Sequence, residues 1–467
     1  MGCFKTILAS LVFLALPIAG QAPARQVAEA DGTTPLHKAV LANDLPAVQK
    51  LLRAGANPSA ANRYSITPLS LAATNGNAQI LEALLTAGAD AKANLPGGQT
   101  LLMTAARSGN PQSVKLLLDR GGDANAKEET NGETALMWAA SEDHPEAARI
   151  LIARGAALDV RSNALEYKTD RFGLEGVLTI LPRGSMTALM YAAREGSTRA
   201  AGVLAEAGAN LNLQDPDGTT ALVLAIMNTH YDTAALLLEK GADPNIGDST
   251  GMAALYAAVD MNTLTEIYGR PRRKPSGEVS GLDLIRKLLA RGADPNGRLK
   301  APNLQRAHTP GDRNLGEGTT PLMRAARNGD AAGMRVLLEN GADPNLTEKN
   351  HTTALMLAAG LGRGLGTFAD EFATEAQQFE AVKILVDRHV DINAANDAGQ
   401  TALHFAALSM DTVVEFLATH GANLDAKDKQ GRTPLDMAMG KGGPGRAGAA
   451  ATPRPGTAAL LRKFGAK

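Results

Sequence analysis

The sequence has little of several things that functional sites are commonly built from. It has one cysteine, Cys3, within its first few residues. Disulfide scaffolds, Cys-x-x-Cys redox centres and cysteine-ligated zinc are therefore excluded. It has 9 Phe, 6 Tyr and a single Trp, so base- or sugar-stacking platforms have little material, and the core must rest on Leu, Ala, Val, Ile and Met. Neither sign of charge dominates: Lys plus Arg is 47 and Asp plus Glu is 48. That balance argues against a surface devoted to nucleic acid or anionic membrane. One long apolar run exists, Ile7–Ala19. At about 13 residues it falls short of the ~20 needed to cross a bilayer as a helix. A hydrophobic share of 44% with 20% charged residues nevertheless describes a folding chain, not a disordered one.

The apolar run has a context. Met1–Lys5 is short and positively charged, Pro17 lies near the end of the run, and the small residues Ala19, Gly20 and Ala22 follow. This is the pattern of a secretory signal, predicted to occupy 1–22 with cleavage near 20–22, and it places the mature chain in a periplasm or outside the cell. Two rivals share the segment. Met1-Gly2-Cys3-Phe4-Lys5-Thr6 fits the loose myristoylation pattern, and an uncleaved anchor would use the same run. A lipoprotein anchor would need its cysteine after the run, and Cys3 precedes it. A mature chain without cysteine, rich in Ala and Gly, leans toward a bacterial envelope.

What the chain has in abundance is a repeat. Thr, then Pro or Ala, then Leu, usually followed by an Ala pair, recurs from Thr34, Thr67, Thr134, Thr187, Thr220, Thr320, Thr353, Thr401 and Thr433. Looser copies begin at Thr100 and Ala253. Most spacings lie within one residue of 33, and the rest read as that period plus insertions. The Thr hydroxyl predicts a cap for a first helix. Pro at the next position is tolerated because first-turn N–H groups have no intrahelical partner. A Leu pair such as Leu84-Leu85 predicts a second helix, which Gly88, Gly241 or Gly341 ends in a left-handed cap. Ala-Asp-Pro-Asn strings (Asp243-Pro244-Asn245, Asp294-Pro295-Asn296, Asp343-Pro344-Asn345) and an Asp-x-x-Gly turn then lead to the next Thr.

This pattern resembles the ankyrin-repeat family, most fully at Asp31-Gly32-Thr33-Thr34-Pro35-Leu36-His37 and Gly399-Gln400-Thr401-Ala402-Leu403-His404. The resemblance covers 31–467. It implies an all-α solenoid of about eleven helix-turn-helix units with projecting hairpins and several insertions. At about 8–10 Å per packed helix layer, eleven units would span on the order of 100 Å. The insertions are placed at 158–186, 261–281, 297–316 and 360–376, with a tail insertion at 440–456 before a closing helix, 458–464. The family usually binds proteins through a concave surface lined by first helices and hairpin tips.

Enzyme motifs fail on context. Gly247-Asp248-Ser249-Thr250-Gly251 matches G-x-S-x-G but sits in a predicted hairpin turn, without the strand and helix of a nucleophile elbow. Gly360–Gly366 is glycine-rich but lacks the Lys-Ser/Thr of a phosphate loop. None of the eight His is paired at i, i+4; His37 and His404 are read as local hydrogen-bonding residues, and His144 and His230 as inter-helix ones. Asn345-Leu346-Thr347 and Asn350-His351-Thr352 fit the glycosylation acceptor pattern, which matters only in a eukaryotic host. No catalytic residue, metal or cofactor is therefore expected.

Candidate partner-binding residues come from register. The second position after the recurring Leu carries Trp138 and Tyr191 in consecutive units, where aromatics suit a binding hot spot. The same position is Leu71, Leu224 and Leu357 elsewhere, so partial core burial stays open for both. Arg107, Arg194 and Arg327, just after the Ala pairs, are read as exposed groove residues. Segment 270–313, with eleven Lys and Arg against four Asp and Glu, contributes Arg272 and Arg273 as a possible contact for an acidic partner.

The functional expectation is a non-catalytic, monomeric scaffold exported to the cell envelope that binds an unidentified protein, without nucleic acid and without stable membrane insertion of the mature chain. Two alternatives stay open: insertions that fold over the groove into a small-ligand or hydrolytic site, and a secreted effector that binds a host protein.

Overall fold

Eleven pairs of antiparallel helices make up the described part of a computed structural model, which covers residues 28–165, 183–262, 266–267, 270–271, 275, 277–301, 315–361, 373–441 and 452–467. The predicted signal segment, 1–22, lies outside the described residues. The chain divides into two compact blocks, one ending at Ala91 and one beginning at Lys92. The N-terminal block holds repeats one and two: α1 (Pro35–Leu41), α2 (Leu45–Arg53), α3 (Pro68–Thr74) and α4 (Ala78–Thr86). The second block holds repeats three to eleven. Its first helices are α5 (Leu101–Ser108), α7 (Ala135–Ser141), α9 (Ala188–Glu195), α11 (Ala221–Met227), α13 (Ala254–Asn262), α15 (Pro321–Arg327), α17 (Ala354–Ala358), α19 (Ala402–Ala406) and α21 (Pro434–Ala438). Its second helices are α6 (Pro111–Asp119), α8 (Pro145–Ala153), α10 (Thr198–Glu206), α12 (Tyr231–Glu239), α14 (Gly281–Ala290), α16 (Ala331–Glu339), α18 (Glu375–Val386), α20 (Asp411–Thr419) and α22 (Pro455–Lys463). Within each block first helices pack on first helices and second on second.

The recurring Thr does what its hydroxyl allows. Thr34, Thr67, Thr100, Thr134, Thr187, Thr220, Thr320, Thr353 and Thr433 each precede a first helix and accept the N–H three residues on. The recurring Leu, from Leu36 to Leu435, is at most 5% exposed in every repeat, and the following Ala pair lets neighbouring backbones approach. A lone helix of five to nine residues is too short to hold itself. Burying each Leu against packed helices, at roughly 1.5–3 kcal/mol, supplies the stability.

Two hydrogen-bond systems join consecutive repeats. At the hairpin tips a backbone bond joins a hairpin to the one before it at eight junctions: Arg63 to Asp31, Glu129 to Gly97, Asn163 to Asn131, Ser249 to Asp217, Lys300 to Thr250, Lys349 to Glu317, Asp397 to Asn350 and Lys429 to Ala398, all 2.6–2.9 Å from N to O. At the opposite end the last residue of the Asp-Pro-Asn string forms a side-chain bridge. Asn245 donates to Gly292 O (2.9 Å) and accepts from Asp294 N (2.8 Å). Asn125, Asn296 and Asn393 form the same two-bond bridge to the next repeat. Asn345 of repeat eight holds the matching position, yet its side chain makes neither bond; His389, at φ +59°, stands where the other acceptors are Gly.

Several boundaries differ from expectation. Met261 and Asn262 still belong to α13, and Gly281 already to α14, because Met261 is buried in the stack and Ser280 caps α14. Glu375 and Ala376 belong to α18, whose cap is Thr374. The closing helix starts at Pro455 rather than 458, since Pro is favoured in a first turn. Residues 158–165 and 183–186 form a hairpin base with Ala164 opposite Gly184 in a two-stranded antiparallel pair, β1 (Ala164–Leu165) and β2 (Arg183–Gly184). A second such pair, β3 (Glu266–Ile267) and β4 (Arg270–Pro271), lies between α13 and α14. In the 297–316 segment, Leu299 and Leu315 are buried, and Leu299 N bonds Thr319 O, so both ends belong to the hairpin.

Candidate functional site

The first helices of repeats three to five present a connected row of polar and aromatic groups. Glu133, immediately before the capping Thr134, reaches over the start of α7. One of its oxygens accepts from Trp138 Nε1 (2.8 Å) and the other from Tyr191 Oη (2.8 Å). A single carboxylate thus fixes both aromatic rings. Arg107 of repeat three lies over the Trp138 ring, its guanidinium carbon 5.0 Å from the centroid, and Arg194 lies over Tyr191 at 4.9 Å. Tyr191 is buried at 8% exposure, whereas Trp138 is half-buried. Burial, with the adjacent Glu133 carboxylate adding to it, pushes the Tyr191 phenol up to about 12.

The arginines differ in environment. Arg107 is exposed and makes no ion pair, while Arg194 pairs at 2.7 Å with Glu195 in a contact open to solvent. Arg327 departs from expectation. It is 4% exposed and donates to Leu361 O, at the start of the interhelical segment of repeat nine, while Gln378 of α18 bonds its carbonyl. The groove position read from register is covered there by repeat nine. Arg272 and Arg273 lie outside the described residues.

A second row went unnoticed in sequence. Asp260 of α13 and Arg324 of α15 form a buried ion pair at 2.5 Å, with side chains 2% and 8% exposed. Asn262 donates to Asp330 (2.8 Å) beside it. The pair obeys the same register as Arg107 and Trp138: the fifth residue after the Leu in one repeat meets the second in the next. Asp260 is the acidic occupant of the first column, facing the basic Arg324 in the second.

His37, His144 and His404 make structural contacts. His404 Nδ1 accepts from Thr401 N–H (3.1 Å) and Nε2 donates to Arg432 O (3.1 Å), an arrangement for the neutral ring. Burial holds its pKa below the ordinary value. His37 pairs in the same way with Thr34 and Ile66. His144 bonds Arg107 O (3.0 Å), and its ring fills the space a Cβ on Gly109 would need, with Gly109 at φ +75°. The G-x-S-x-G string is a turn: Asp248 Oδ1 accepts from Thr250 N and Met252 N, and the Ser249 hydroxyl donates to Asp217. Among the described residues no group of three or more His, Cys, Asp and Glu is placed to hold a metal ion, and no helix is long and apolar enough to cross a membrane. An open hollow of about 760 Å³ between α2 and α4 is lined by Leu45, Gln49, Leu52, Arg53 and Glu82 among others; nothing in it converges on a reacting atom.

The family described as "Ankyrin repeats (3 copies)" matches residues 8–95, 69–162, 177–248, 278–365 and 371–445. Similar curated proteins include a mitochondrial disaggregase of Bos taurus, 32% identical over 161 residues, 33% of this chain and 19% of that protein. The neurogenic locus notch homolog protein 1 of Homo sapiens is 30% identical over 233 residues, 49% of this chain and 8% of that protein. The matches thus span a fifth or less of these relatives' lengths. Among solved structures, the repeat domain of Bcl-3 covers 49% of this chain and 94% of its own, at 27% identity and TM-score 0.39. That of human ASB11 covers 56% and 99%, at 23% identity and TM-score 0.42. Repeats of this kind are in general protein–protein interaction modules. With the family's match running through more than half of its length, and with paired helices recurring through the described residues, the chain belongs to the ankyrin-repeat family.

Proposed function

We propose that this chain is a monomeric, non-catalytic protein-binding scaffold exported to the cell envelope, and that its recognition face is the row of first helices in repeats three to five. The observation that carries the reading is the Glu133-centred cluster. One carboxylate orients the only Trp of the chain and a neighbouring Tyr, each overlaid by an arginine. Pre-oriented aromatic and Arg side chains are the groups that dominate binding energy at protein interfaces. The export part rests on the 1–22 pattern: a charged start, an apolar run and small residues at its end.

Affinity capture from the native host's envelope fraction tests the reading, with wild type compared with the double variant R107A/R194A. The expected result is a protein retained by wild type and lost with the variant. Retention of nothing, or equal retention by both, contradicts it. The mature protein should be recovered from the envelope fraction with an N-terminus near residues 20–22; recovery from the cytoplasm with Met1 intact contradicts export.

A further inference from the structure

We propose that the repeat three-to-five face takes an extended, acidic peptide segment whose two carboxylates lie about six residues apart, one on Arg107 and one on Arg194. This deepens the scaffold reading and rests on it.

The argument starts from what each arginine has left to offer. Arg107 is exposed, without an ion pair, and stacked over Trp138. Stacking uses the face of the guanidinium and leaves its in-plane N–H groups for a carboxylate, which they match as a fork. Glu133 accepts from Trp138 and Tyr191 on its two oxygens, so it orients the rings, and it makes no ion pair with Arg107 among the described residues. Arg194 is held over Tyr191, and its pairing with Glu195 has both side chains about two-fifths exposed. Such a pair contributes little, so a partner's carboxylate exchanges into it at small cost.

Spacing sets the length of the ligand. Arg107 and Arg194 hold the same position, five after the Leu, in repeats three and five, and Ser141 holds it between them. Two steps of about 8–10 Å separate the repeats. An extended chain rising about 3.3 Å per residue covers that distance in about six residues. A helical segment would need about twice as many residues between its carboxylates, at 1.5 Å each.

The single Trp is the probe. Emission of Trp138 in the full chain is titrated with a Gly/Ser peptide carrying Asp at both ends, about six residues apart. The comparisons are the same peptide with one Asp, the same peptide with Lys at both ends, and inorganic phosphate. The expected result is a saturable shift for the two-Asp peptide, at least about tenfold tighter than for the one-Asp peptide, because the second contact is intramolecular. It should weaken with added salt. R107Q and R194Q should each abolish the tenfold advantage, while R149Q, an exposed change on α8, keeps it. No shift, an equal shift with Lys peptide or phosphate, or R107Q binding as wild type overturns the proposal. If capture in the envelope still depends on Arg107 and Arg194 while the two-Asp peptide fails, the acidic-peptide assignment falls and the scaffold stands. If both fail, both fall.

Discussion

Replacing Asn245 by Ala removes both bonds of one bridge between repeats six and seven, to Gly292 O at 2.9 Å and from Asp294 N at 2.8 Å. Each bond contributes about 0.5–1.5 kcal/mol net, and the site is exposed, so water partly replaces them. The expected loss is about 1–2 kcal/mol. N245D keeps the acceptor and loses the donor, as Asp159 does naturally when it accepts from Asn210 N (3.1 Å), and should cost about half as much. The control is Asn345, which occupies the same string without either bond, so N345A should lie within about 0.5 kcal/mol of wild type. The assay is urea unfolding followed by helical circular dichroism, compared at common slope because an array of this length need not unfold in one step. Equal losses for N245A and N345A would refute the reasoning, placing the effect of the asparagine in its own turn and not in the contact with the next repeat.

Three further outcomes follow from the interior. R324M strands the Asp260 carboxylate in a buried site and should cost about 3–5 kcal/mol, whereas the double change R324M/D260L should recover most of it; a loss as large in the double variant contradicts the pairing. Burial and Glu133 raise the Tyr191 phenol to about 12, so the stability this contributes is present below pH ~10 and is lost as pH rises through the folded value; E133Q should bring the ultraviolet titration of Tyr191 down toward 10, and no change would contradict the contact. Burial depresses the His404 pKa, so its contribution is present above about 6.5 and is lost as pH falls through the lower folded value; H404Q should flatten the fall in urea midpoint between about pH 7 and pH 5, and an unchanged slope would contradict it.

How much of this was legible depended on the range of the interaction. A Thr hydroxyl caps an N–H three residues away, so every copy of the repeat carries its own complete instruction, and Thr34, Thr134 or Thr433 could be placed without a partner. Contacts between repeats join distant residues, 31 positions apart in Arg107 with Trp138 and 64 in Asp260 with Arg324, beyond the reach of any single copy of the repeat. Arg107 is exposed and Arg194 half-buried, whereas Arg327, at the same register, is covered by repeat nine. Coverage by a segment that departs from the period leaves no trace in the period. The Asp-Pro-Asn asparagines were visible as a motif, while their bridging role required the position of the next repeat's Gly carbonyl. Glu133 was missed because it precedes the cap, outside the helix columns searched for groove residues.

The central claim is that the working surface is the first-helix face of repeats three to five, and site-specific photocrosslinking in intact host cells tests it most directly. A photoreactive residue is placed at 108, 141 or 195 on that face, beside Arg107 and Arg194 and not in their place, and at 120, 149 or 206 on the second-helix side. The account predicts one discrete adduct shared by the first three positions and absent from the others. Adducts confined to the second-helix positions, or spread evenly over all six, would contradict it.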